Sequence, residues 1–369
     1  MWKKNWIIVV VIIFLVFLNV NVYDDNEIIQ EYFLRQWYLY NDGKCTQIKI
    51  DKEFCAKTNF KKNVDINVMP IWKAEKEFKN DVLVAVIDTG VDYKHEDLNH
   101  VMWKNEGEIE NDGMDNDGNG FVDDIHGWNF CLDNNDLLSG QDVYENDHGT
   151  ISAGIIAAED NGIGIIGIAG NGKVKIMSVK VLQDIDHKGD IDNLIKGIKY
   201  AEMMGAQICN LSLGVGEDNM ELRKVIEESS MLFIVSAGNG GKNIDKEKQY
   251  PATYNFDNVI TVANMAFDGE LEEKSNYGIE SVDLVAPGTY MYSTCVGGYD
   301  YDTGTSMAAA VVSGVSALIY SYSSNATPQN VKSAICNSVT HYDILRGKVK
   351  YEGMVDTENA LKYFKEKFG

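Results

Sequence analysis

The chain has 369 residues, 45% of them hydrophobic, and its 56 acidic and 33 basic side chains give a formal net charge of −23. A chain of this length can bury a sizeable core, as one large domain or two ordinary ones. The acidity excludes a nucleic-acid partner, because no basic surface is available to neutralise phosphate. Such a net charge is typical of a soluble protein whose surface charges repel one another. The more specific explanation is that the acidic side chains bind cations.

The N-terminus carries two lysines, Lys3 and Lys4, followed by the unbroken apolar run 6–18. This run has the length of a signal-peptide core; extended to residue 22 it has the length of a short membrane helix, and no small-residue cleavage site follows. Residues 1–22 are therefore predicted to be a signal peptide or an N-terminal membrane anchor. Both alternatives make the protein extracytoplasmic, either secreted or anchored to the membrane by this segment, because the lysines hold the N-terminus in the cytoplasm.

The six cysteines follow no metal-binding spacing. An extracellular setting permits disulfides, and Cys45 with Cys55 is the only candidate pair close in sequence. Cys209 lies in an apolar, strand-like run and is predicted to be a buried free thiol.

From about residue 81, short apolar runs alternate with helix-length segments. The predicted strands are 82–88, 174–182, 206–213, 231–238, 258–264 and 282–287. The predicted helices are 148–158, 190–204, 218–229 and 305–322. Fully apolar strands that alternate with helices predict an α/β fold with a doubly wound, mostly parallel sheet and helices on both faces. Functional groups of such sheets collect at the carboxyl ends of the strands.

Four polar side chains are found at strand ends or helix starts: Asp88, His148, Asn239 and Ser306. Two of them have a structural alternative: Asp88 suits a turn, and Ser306 suits the N-cap of the apolar helix. Together, however, an acid, an imidazole, an amide and a hydroxyl are the groups that acyl transfer requires.

The chemistry gives each group a role. Ser306 would be the nucleophile, with His148 removing its proton and returning it to the leaving amine. Asp88 would hold the imidazole in the required tautomer and stabilise the imidazolium. The Asn239 amide and the backbone N–H of Ser306 would donate to the oxyanion.

These residues belong to blocks that resemble those of subtilisin-like serine proteases, the subtilases. The blocks are residues 82–98, 147–169, 177–182, 209–214, 236–239, 285–288 and 304–319, in the family's order. The resemblance implies a subtilisin-like fold and an extracytoplasmic serine endopeptidase that acts on peptides or proteins through an acyl-enzyme and an Asp-His-Ser triad. The alternatives are a dedicated maturation protease for one partner peptide and a non-catalytic peptide-binding relative. The four intact residues disfavour the second alternative.

The same resemblance places the domain boundaries. Residues 31–43 resemble the segment that opens the mature catalytic domain in many subtilases. The peptidase domain is therefore predicted over 23–369, with 23–80 as an extension leading into the core and no inhibitory propeptide. The chain departs from the usual family pattern at Ile151, Ala310 and Val311. None of these positions supplies a proton or an oxyanion donor, so activity is expected to survive.

Two segments, 211–219 and 236–243, resemble the walls of the family's primary specificity pocket. The resemblance implies substrate binding by Ser212, Leu213, Gly214, Ala237 and Gly238. Glu217 and Asp218 are candidates for attracting a basic substrate, and solvated surface is the alternative.

The acidic segment 106–124 holds eight carboxylates and no basic residue. From residue 115 it matches the first positions of an EF-hand-type loop, which makes the candidate ligands Asp115, Asp117, Asn119, the Phe121 carbonyl and Asp123. His126 stands where the closing glutamate is expected, and a polar surface loop is the alternative. The preferred prediction is a structural Ca²⁺ ion.

A second candidate loop, 159–165, resembles the family's calcium-binding loop after the histidine helix. The resemblance implies ligation by Asn161 and Asp97 and by the carbonyls of Glu159, Ile163 and Ile165.

Overall fold

The computed structural model describes residues 35–44, 60–73, 78–138, 147–170, 173–183 and 190–369. The predicted signal or anchor segment and the candidate pair of Cys45 and Cys55 lie outside the described residues.

Eleven strands are found among the described residues. They are β1 (Val82–Asp88), β2 (Gly127–Asn129), β3 (Val174–Lys180), β4 (Ile208–Leu211), β5 (Leu232–Ser236), β6 (Val259–Met265), β7 (Leu284–Pro287), β8 (Met291–Cys295), β9 (Gly298–Asp302), β10 (Thr340–His341) and β11 (Gly353–Met354). The strands β8 and β9 form an antiparallel hairpin. The other nine form one sheet in the order β10-β11-β7-β6-β5-β4-β1-β3-β2.

The sheet is parallel except for the edge pair of β10 and β11. Its central strands β1, β5 and β6 are buried along their whole length, which explains why their sequences are continuous apolar runs and do not alternate. Cys209, on β4, is a buried free thiol, as predicted. Burial raises the pKa of its thiol well above the usual value.

The described helices are α1 (Met69–Trp72), α2 (Asp147–Ala157), α3 (Ile191–Met203), α4 (Met220–Glu228), α5 (Thr305–Tyr322), α6 (Pro328–Cys336) and α7 (Thr357–Phe368). The four predicted helices correspond to α2 to α5, with ends that differ by at most two residues. Side-chain caps begin two of them: Asp190 accepts from the Asp192 N–H at α3, and Asn219 accepts from the Glu221 N–H at α4. The predicted α/β fold is confirmed.

The helix α5 is a core helix. Within the described part of the chain, it alone is long and apolar enough to cross a membrane, and 94% of it is buried inside the protein. It packs against β4, β5, β6 and β7. Burial in the centre of the fold therefore explains why the side chains of α5 are apolar on every face of the helix.

The strand order reverses at β1, which lies between β3 and β4. At such a switch point the connections leave the sheet in opposite directions, and a crevice opens at the carboxyl ends of the strands. Asp88, the last residue of β1, lies at that place.

The segment 35–44 packs into the core although it precedes the first strand. Trp37 and Tyr38 are fully buried. The Trp37 indole N–H donates to the Thr289 carbonyl at 3.0 Å, and the Gln36 amide donates to the Ile166 carbonyl at 2.7 Å. These contacts tie the segment to the residues that follow β7 and to the loop after α2.

Candidate active site

The fold places Asp88 beside His148, and it places Asn239 beside the start of the helix that carries Ser306. Asp88 ends β1, His148 lies in the first turn of α2, and Ser306 lies in the first turn of α5. Asn239 follows β5, two strands away from β1 in the sheet. Asp88 and His148 are 60 positions apart in sequence, and Asn239 and Thr305 are 66 positions apart, so both contacts form only in the folded protein.

Asp88 and His148 form a buried hydrogen-bonded pair. The imidazole Nδ1 lies 2.7 Å from Asp88 Oδ1 and 2.9 Å from Oδ2. The carboxylate is fully buried, and 14% of the imidazole is exposed. With Nδ1–H donating to the carboxylate, Nε2 is the nitrogen that can accept a proton from a nucleophile.

The charges around His148 favour its protonated form. Burial lowers the pKa of the imidazole, but the charge and the hydrogen bond of Asp88, together with the charge of Asp302, outweigh burial and raise the pKa above its usual value. An imidazolium formed during proton transfer is therefore stabilised where it arises.

The turn after Asp88 makes close contact with α2. The Thr89 N–H donates to Asp88 Oδ1 at 2.7 Å, and the Thr89 hydroxyl accepts from the Gly149 N–H at 3.1 Å. A Cβ at Gly149 would lie 2.1 Å from the Gly90 carbonyl oxygen. Only glycine permits this approach of helix to turn. Neither Thr89 nor Gly149 was assigned a role from the sequence, although both adjoin predicted catalytic residues.

Ser306 is not the N-cap of α5, so that alternative is wrong. The N-cap position is held by Gly304, and no side chain caps the helix there. The Ser306 hydroxyl donates to the Ser212 carbonyl at 3.4 Å, and the residue is 7% exposed. Among the described residues, no acceptor is found for the Ser306 backbone N–H.

Asn239 is held by the start of α5. Its Oδ1 accepts from the Thr305 N–H at 2.9 Å and from the Thr305 hydroxyl at 3.0 Å. The amide nitrogen Nδ2 therefore points away from Thr305, and a Cβ at Gly304 would lie 3.3 Å from it. A side chain at residue 304 would crowd the space in front of this donor. The Asn239 amide and the N–H at the start of the helix can both serve an oxyanion.

The predicted substrate-binding residues lie in two neighbouring segments that follow adjacent strands of the sheet. The strands β4 and β5 are parallel neighbours with Leu211 opposite Val235, so residues 212–214 and 236–238 continue from adjacent strand ends. Gly238 has a φ of 96°, and a Cβ there would lie 2.6 Å from the Asn276 amide nitrogen.

Asn276 fixes the second of these two segments. Its amide donates to the Ala237 carbonyl at 2.8 Å, while its Oδ1 accepts from the Gly240 N–H at 3.0 Å. Asn276 lies far along the chain in no recognisable motif, and sequence reasoning missed it.

Asp218 is already paired within the protein. Its carboxylate accepts from the Tyr254 hydroxyl at 2.7 Å and from the Arg223 guanidinium at 2.9 Å. These two hydrogen bonds lower the pKa of Asp218. Because Arg223 neutralises its charge, Asp218 gives little support to a preference for basic substrates.

The acidic loop gathers a different set of carboxylates from the predicted one. Ligand atoms of Glu108, Asp115 and Asp117 all lie within 4.8 Å of one another. Glu108 was not predicted, because the EF-hand pattern looks for the closing carboxylate downstream of the loop. Three carboxylates in one place supply the hard oxygen donors that Ca²⁺ prefers, so the residues present fit that ion.

The Asp123 carboxylate is not one of the three clustered carboxylates, although the Asp123 N–H donates to Glu108 Oε2 at 2.9 Å. Its backbone is left-handed, with a φ of 54°, and its carboxylate accepts from the N–H groups of Asp112 and Gly113 at 3.2 and 3.0 Å. The side chain of Asp123 therefore closes the preceding turn and does not join the three clustered carboxylates.

The remaining predicted positions of this loop stay close to the cluster. The Asn119 N–H donates to Asp115 at 3.1 Å and to Asp117 at 2.9 Å, and the Asn119 Oδ1 accepts from the Phe121 N–H at 2.7 Å. The Phe121 ring packs against Tyr200, with ring centroids 4.8 Å apart. The loop is thus anchored to the protein through an aromatic contact.

The predicted ligands of the second candidate loop, 159–165, also lie close to one another. Asp97 is fully buried, and its carboxylate accepts from the Asn161 amide at 3.1 Å and from the Ile165 N–H at 3.0 Å. Burial raises the pKa of Asp97, against the opposing effect of these hydrogen bonds. The Glu159 N–H donates to the Asp97 carbonyl at 2.9 Å, and the Ile163 N–H donates to the Asn161 Oδ1 at 3.0 Å.

Comparisons with known proteins identify the family of this chain. A family model described as the Subtilase family matches residues 79–369. Subtilisin-like protease 1 of Plasmodium berghei is 32% identical over 302 residues, which cover 76% of this chain and 49% of the relative. The major intracellular serine protease of Bacillus subtilis is 36% identical over 275 residues, which cover 70% of this chain and 77% of the relative. The chain thus spans about half the length of its Plasmodium relative.

Solved structures give the same result. A protease structure from Pseudoalteromonas arctica has a TM-score of 0.62 at 28% identity, covering 81% of this chain and 94% of the other. A structure from the subtilase cytotoxin assembly has a TM-score of 0.63 at 23% identity, covering 82% and 96%, and at that identity it supports the fold alone. With a family match over residues 79–369 and relatives above 30% identity, this chain belongs to the subtilase family.

Proposed function

We propose that this protein is a serine endopeptidase that cleaves peptide bonds through an acyl-enzyme formed on Ser306. The observation that carries the proposal is the buried pair of Asp88 and His148, with Nδ1 at 2.7 Å from the carboxylate, at the crevice where α5 presents Ser306. Membership of the subtilase family supports it, since the Bacillus subtilis relative is named as a serine protease.

In the proposed reaction, His148 removes the proton from the Ser306 hydroxyl as the oxygen attacks the scissile carbonyl. The positive charge that forms on the imidazole is stabilised by Asp88, which accepts the Nδ1 proton in a hydrogen bond throughout. His148 then donates its new proton to the leaving amine, and water repeats the sequence to release the acyl group.

The negative charge on the carbonyl oxygen requires donors that already point at it. The Asn239 amide is oriented by Thr305, and the Ser306 backbone N–H lies at the positive end of the α5 dipole. The Ser306 N–H belongs to the first turn of α5, and two hydrogen bonds from Thr305 hold the Asn239 side chain, so both donors are oriented before the charge develops.

Active-site labelling tests this proposal. A fluorophosphonate should label the wild-type protein at Ser306 and leave the Ser306→Ala variant unlabelled. The Ser323→Ala variant, altered just after the end of the same helix, is the matched control and should label like the wild type. Labelling that persists in the Ser306→Ala variant, or that is absent from the wild type, would contradict the proposal.

We also propose that the protein acts outside the cytoplasm, secreted or anchored through residues 1–22. The support is the apolar run 6–18 behind Lys3 and Lys4. External protease added to intact cells should digest a C-terminal tag on the full chain, or the tagged protein should appear in the medium. A tag that is fully protected until the cells are lysed would contradict an extracytoplasmic location.

A structural Ca²⁺ ion is proposed for the acidic loop, held by Glu108, Asp115 and Asp117. Mutual repulsion of the three carboxylates would be relieved by a cation, and their oxygens are the donors that Ca²⁺ prefers. The loop around Asp97 and Asn161 is a second candidate site. Acyl transfer on Ser306 needs no Lewis acid, so the ion would stabilise the fold.

A further inference from the structure

Lys180 is a buried cation that the proposed chemistry does not use. It ends β3, and its side chain is 0% exposed, which places it among the largest fully buried side chains of the described residues. A buried ammonium is unfavourable unless it is hydrogen-bonded and lies near negative charge. Its neighbours therefore indicate what it does.

The ammonium reaches the turn that follows Asp88. Lys180 and Asp88 are register partners on the parallel strands β3 and β1, so their side chains leave the same face of the sheet. The Lys180 Nζ donates to the Thr89 carbonyl oxygen. The stem of the lysine passes Gly90, where a Cβ would lie 3.4 Å from the Lys180 Cδ. The Lys180 side chain thus bonds Thr89 and lies beside Gly90.

Thr89 connects this turn to both members of the catalytic pair. Its N–H donates to Asp88 at 2.7 Å, and its hydroxyl accepts at 3.1 Å from the Gly149 N–H, next to His148. Thr89 itself is fully buried. A displacement of Thr89 would therefore move the carboxylate and the helix that carries the imidazole.

We propose that Lys180 is a positioning residue of the active site: its ammonium anchors Thr89, and through Thr89 it fixes the orientation of Asp88 towards His148. This inference rests on the proposed acyl-enzyme chemistry. The Lys180 ammonium bonds the turn on the Asp88 side of the pair, and the Thr89 N–H of that turn donates to the Asp88 carboxylate. A lysine that only filled the core would affect neither the alignment of the pair nor its titration.

The Lys180→Met variant tests the inference, because it keeps the length of the side chain and removes the charge and the donor. We expect kcat/KM to fall about 10²-fold, mostly in kcat, since a misaligned catalytic pair loses that much for a displacement on the order of 1 Å. The acid limb of the pH profile of kcat/KM should move to lower pH, because a displaced Asp88 carboxylate raises the pKa of His148 less.

The same substitution in an Asp88→Asn protein distinguishes a positioning role of Lys180 from a role in general stability. In an Asp88→Asn protein, the additional Lys180→Met change should alter the fluorophosphonate labelling rate by less than about threefold, because residues that act as a unit are not additive. Lys175→Met is the matched control, since Lys175 lies on the same strand and donates to the His100 carbonyl at 2.7 Å, away from the pair. It should leave kcat and the pH profile unchanged.

The Lys180→Gln variant, which keeps a donor without the charge, covers the case in which the methionine variant does not fold; it should show the same shift of the acid limb. A lower Tm with unchanged kcat and unchanged acid limb would overturn the inference, as would an equal fold-loss in the wild-type and Asp88→Asn backgrounds. Normal kinetics of Lys180 variants in a protein that labels at Ser306 would refute this inference alone. A wild-type protein that does not label would refute the proposed function.

Discussion

The orientation of Asn239 leads to a quantitative prediction for the Asn239→Ala variant. Its Oδ1 is occupied by two hydrogen bonds from Thr305, at 2.9 and 3.0 Å, and its Nδ2 is therefore left to donate into the crevice near Gly304. Truncation to alanine removes one of two proposed oxyanion donors and leaves the other, the Ser306 N–H, in place.

The loss of one such donor costs about 2.7–4 kcal/mol of transition-state stabilisation, which corresponds to a decrease of roughly 10²–10³-fold in kcat. The Michaelis constant should change little, because the ground-state carbonyl oxygen does not yet carry the charge that the amide stabilises. Steady-state cleavage of a fluorogenic peptide gives both constants. The rate of labelling by a fluorophosphonate should fall in parallel, since that reaction passes through a similar oxyanion.

The Asn255→Ala variant is the control for this experiment. Asn255 lies outside both predicted pocket walls, and its exposed Oδ1 accepts from the Lys350 ammonium at 3.3 Å. Its kcat should stay within about threefold of the wild type. If Asn239→Ala raises only the Michaelis constant, or lowers kcat by less than about tenfold, Asn239 is a substrate-binding residue and the assignment of the oxyanion donor is wrong.

Two further predictions concern His148 and the helix that carries it. Asp302 raises the pKa of His148, so Asp302→Asn should lower that pKa and move the acid limb of kcat/KM to lower pH by less than about one unit, with a smaller shift at high salt; an upward shift would contradict the electrostatic argument. Gly149→Ala should lower kcat/KM by at least about 10²-fold, because the added methyl would lie 2.1 Å from the Gly90 carbonyl oxygen. Gly298→Ala is its control, since no atom lies within 4 Å of a Cβ there; equal activity of the two glycine variants would show that α2 can shift without harm.

The parts of the site that could be predicted from the sequence are those at ends of regular elements. Asp88 ends an apolar strand, where the functional groups of parallel sheets collect, and Ser306 begins an apolar helix. The strand and helix bounds were also close, because fully buried parallel strands have continuous apolar sequences.

The residues that sequence reasoning missed act through contacts between distant elements. Thr89 matters because its hydroxyl meets the Gly149 N–H, 60 positions along the chain. The Asn276 amide reaches the Ala237 carbonyl, 39 positions away. Neither partner can be identified from local propensity, since each contact exists only after the sheet has formed.

In the acidic loop, the carboxylates that cluster in the structure differ from the ligands that the sequence pattern predicts. The pattern assigned Asp123 as a ligand, whereas the carboxylates that cluster are those of Glu108, Asp115 and Asp117. If these three hold Ca²⁺, then Asp115→Ala combined with Asp117→Ala should abolish most of the stabilisation by calcium. Asp123→Ala should instead lower stability equally with calcium and with chelator, because it only uncaps the turn at Gly113.

At a free calcium concentration a hundred times the dissociation constant, one site adds about 2.7 kcal/mol to the free energy of unfolding. For a domain of this size, that corresponds to a rise in Tm of roughly 5 °C, which differential scanning calorimetry resolves. The chelator should also accelerate autolysis without lowering kcat at low temperature, because the ion takes no part in acyl transfer. A response that survives the double variant but disappears in Asp123→Ala would restore the EF-hand-like ligand set. A wild-type protein without any response would show that Glu108 and its neighbours are plain surface carboxylates.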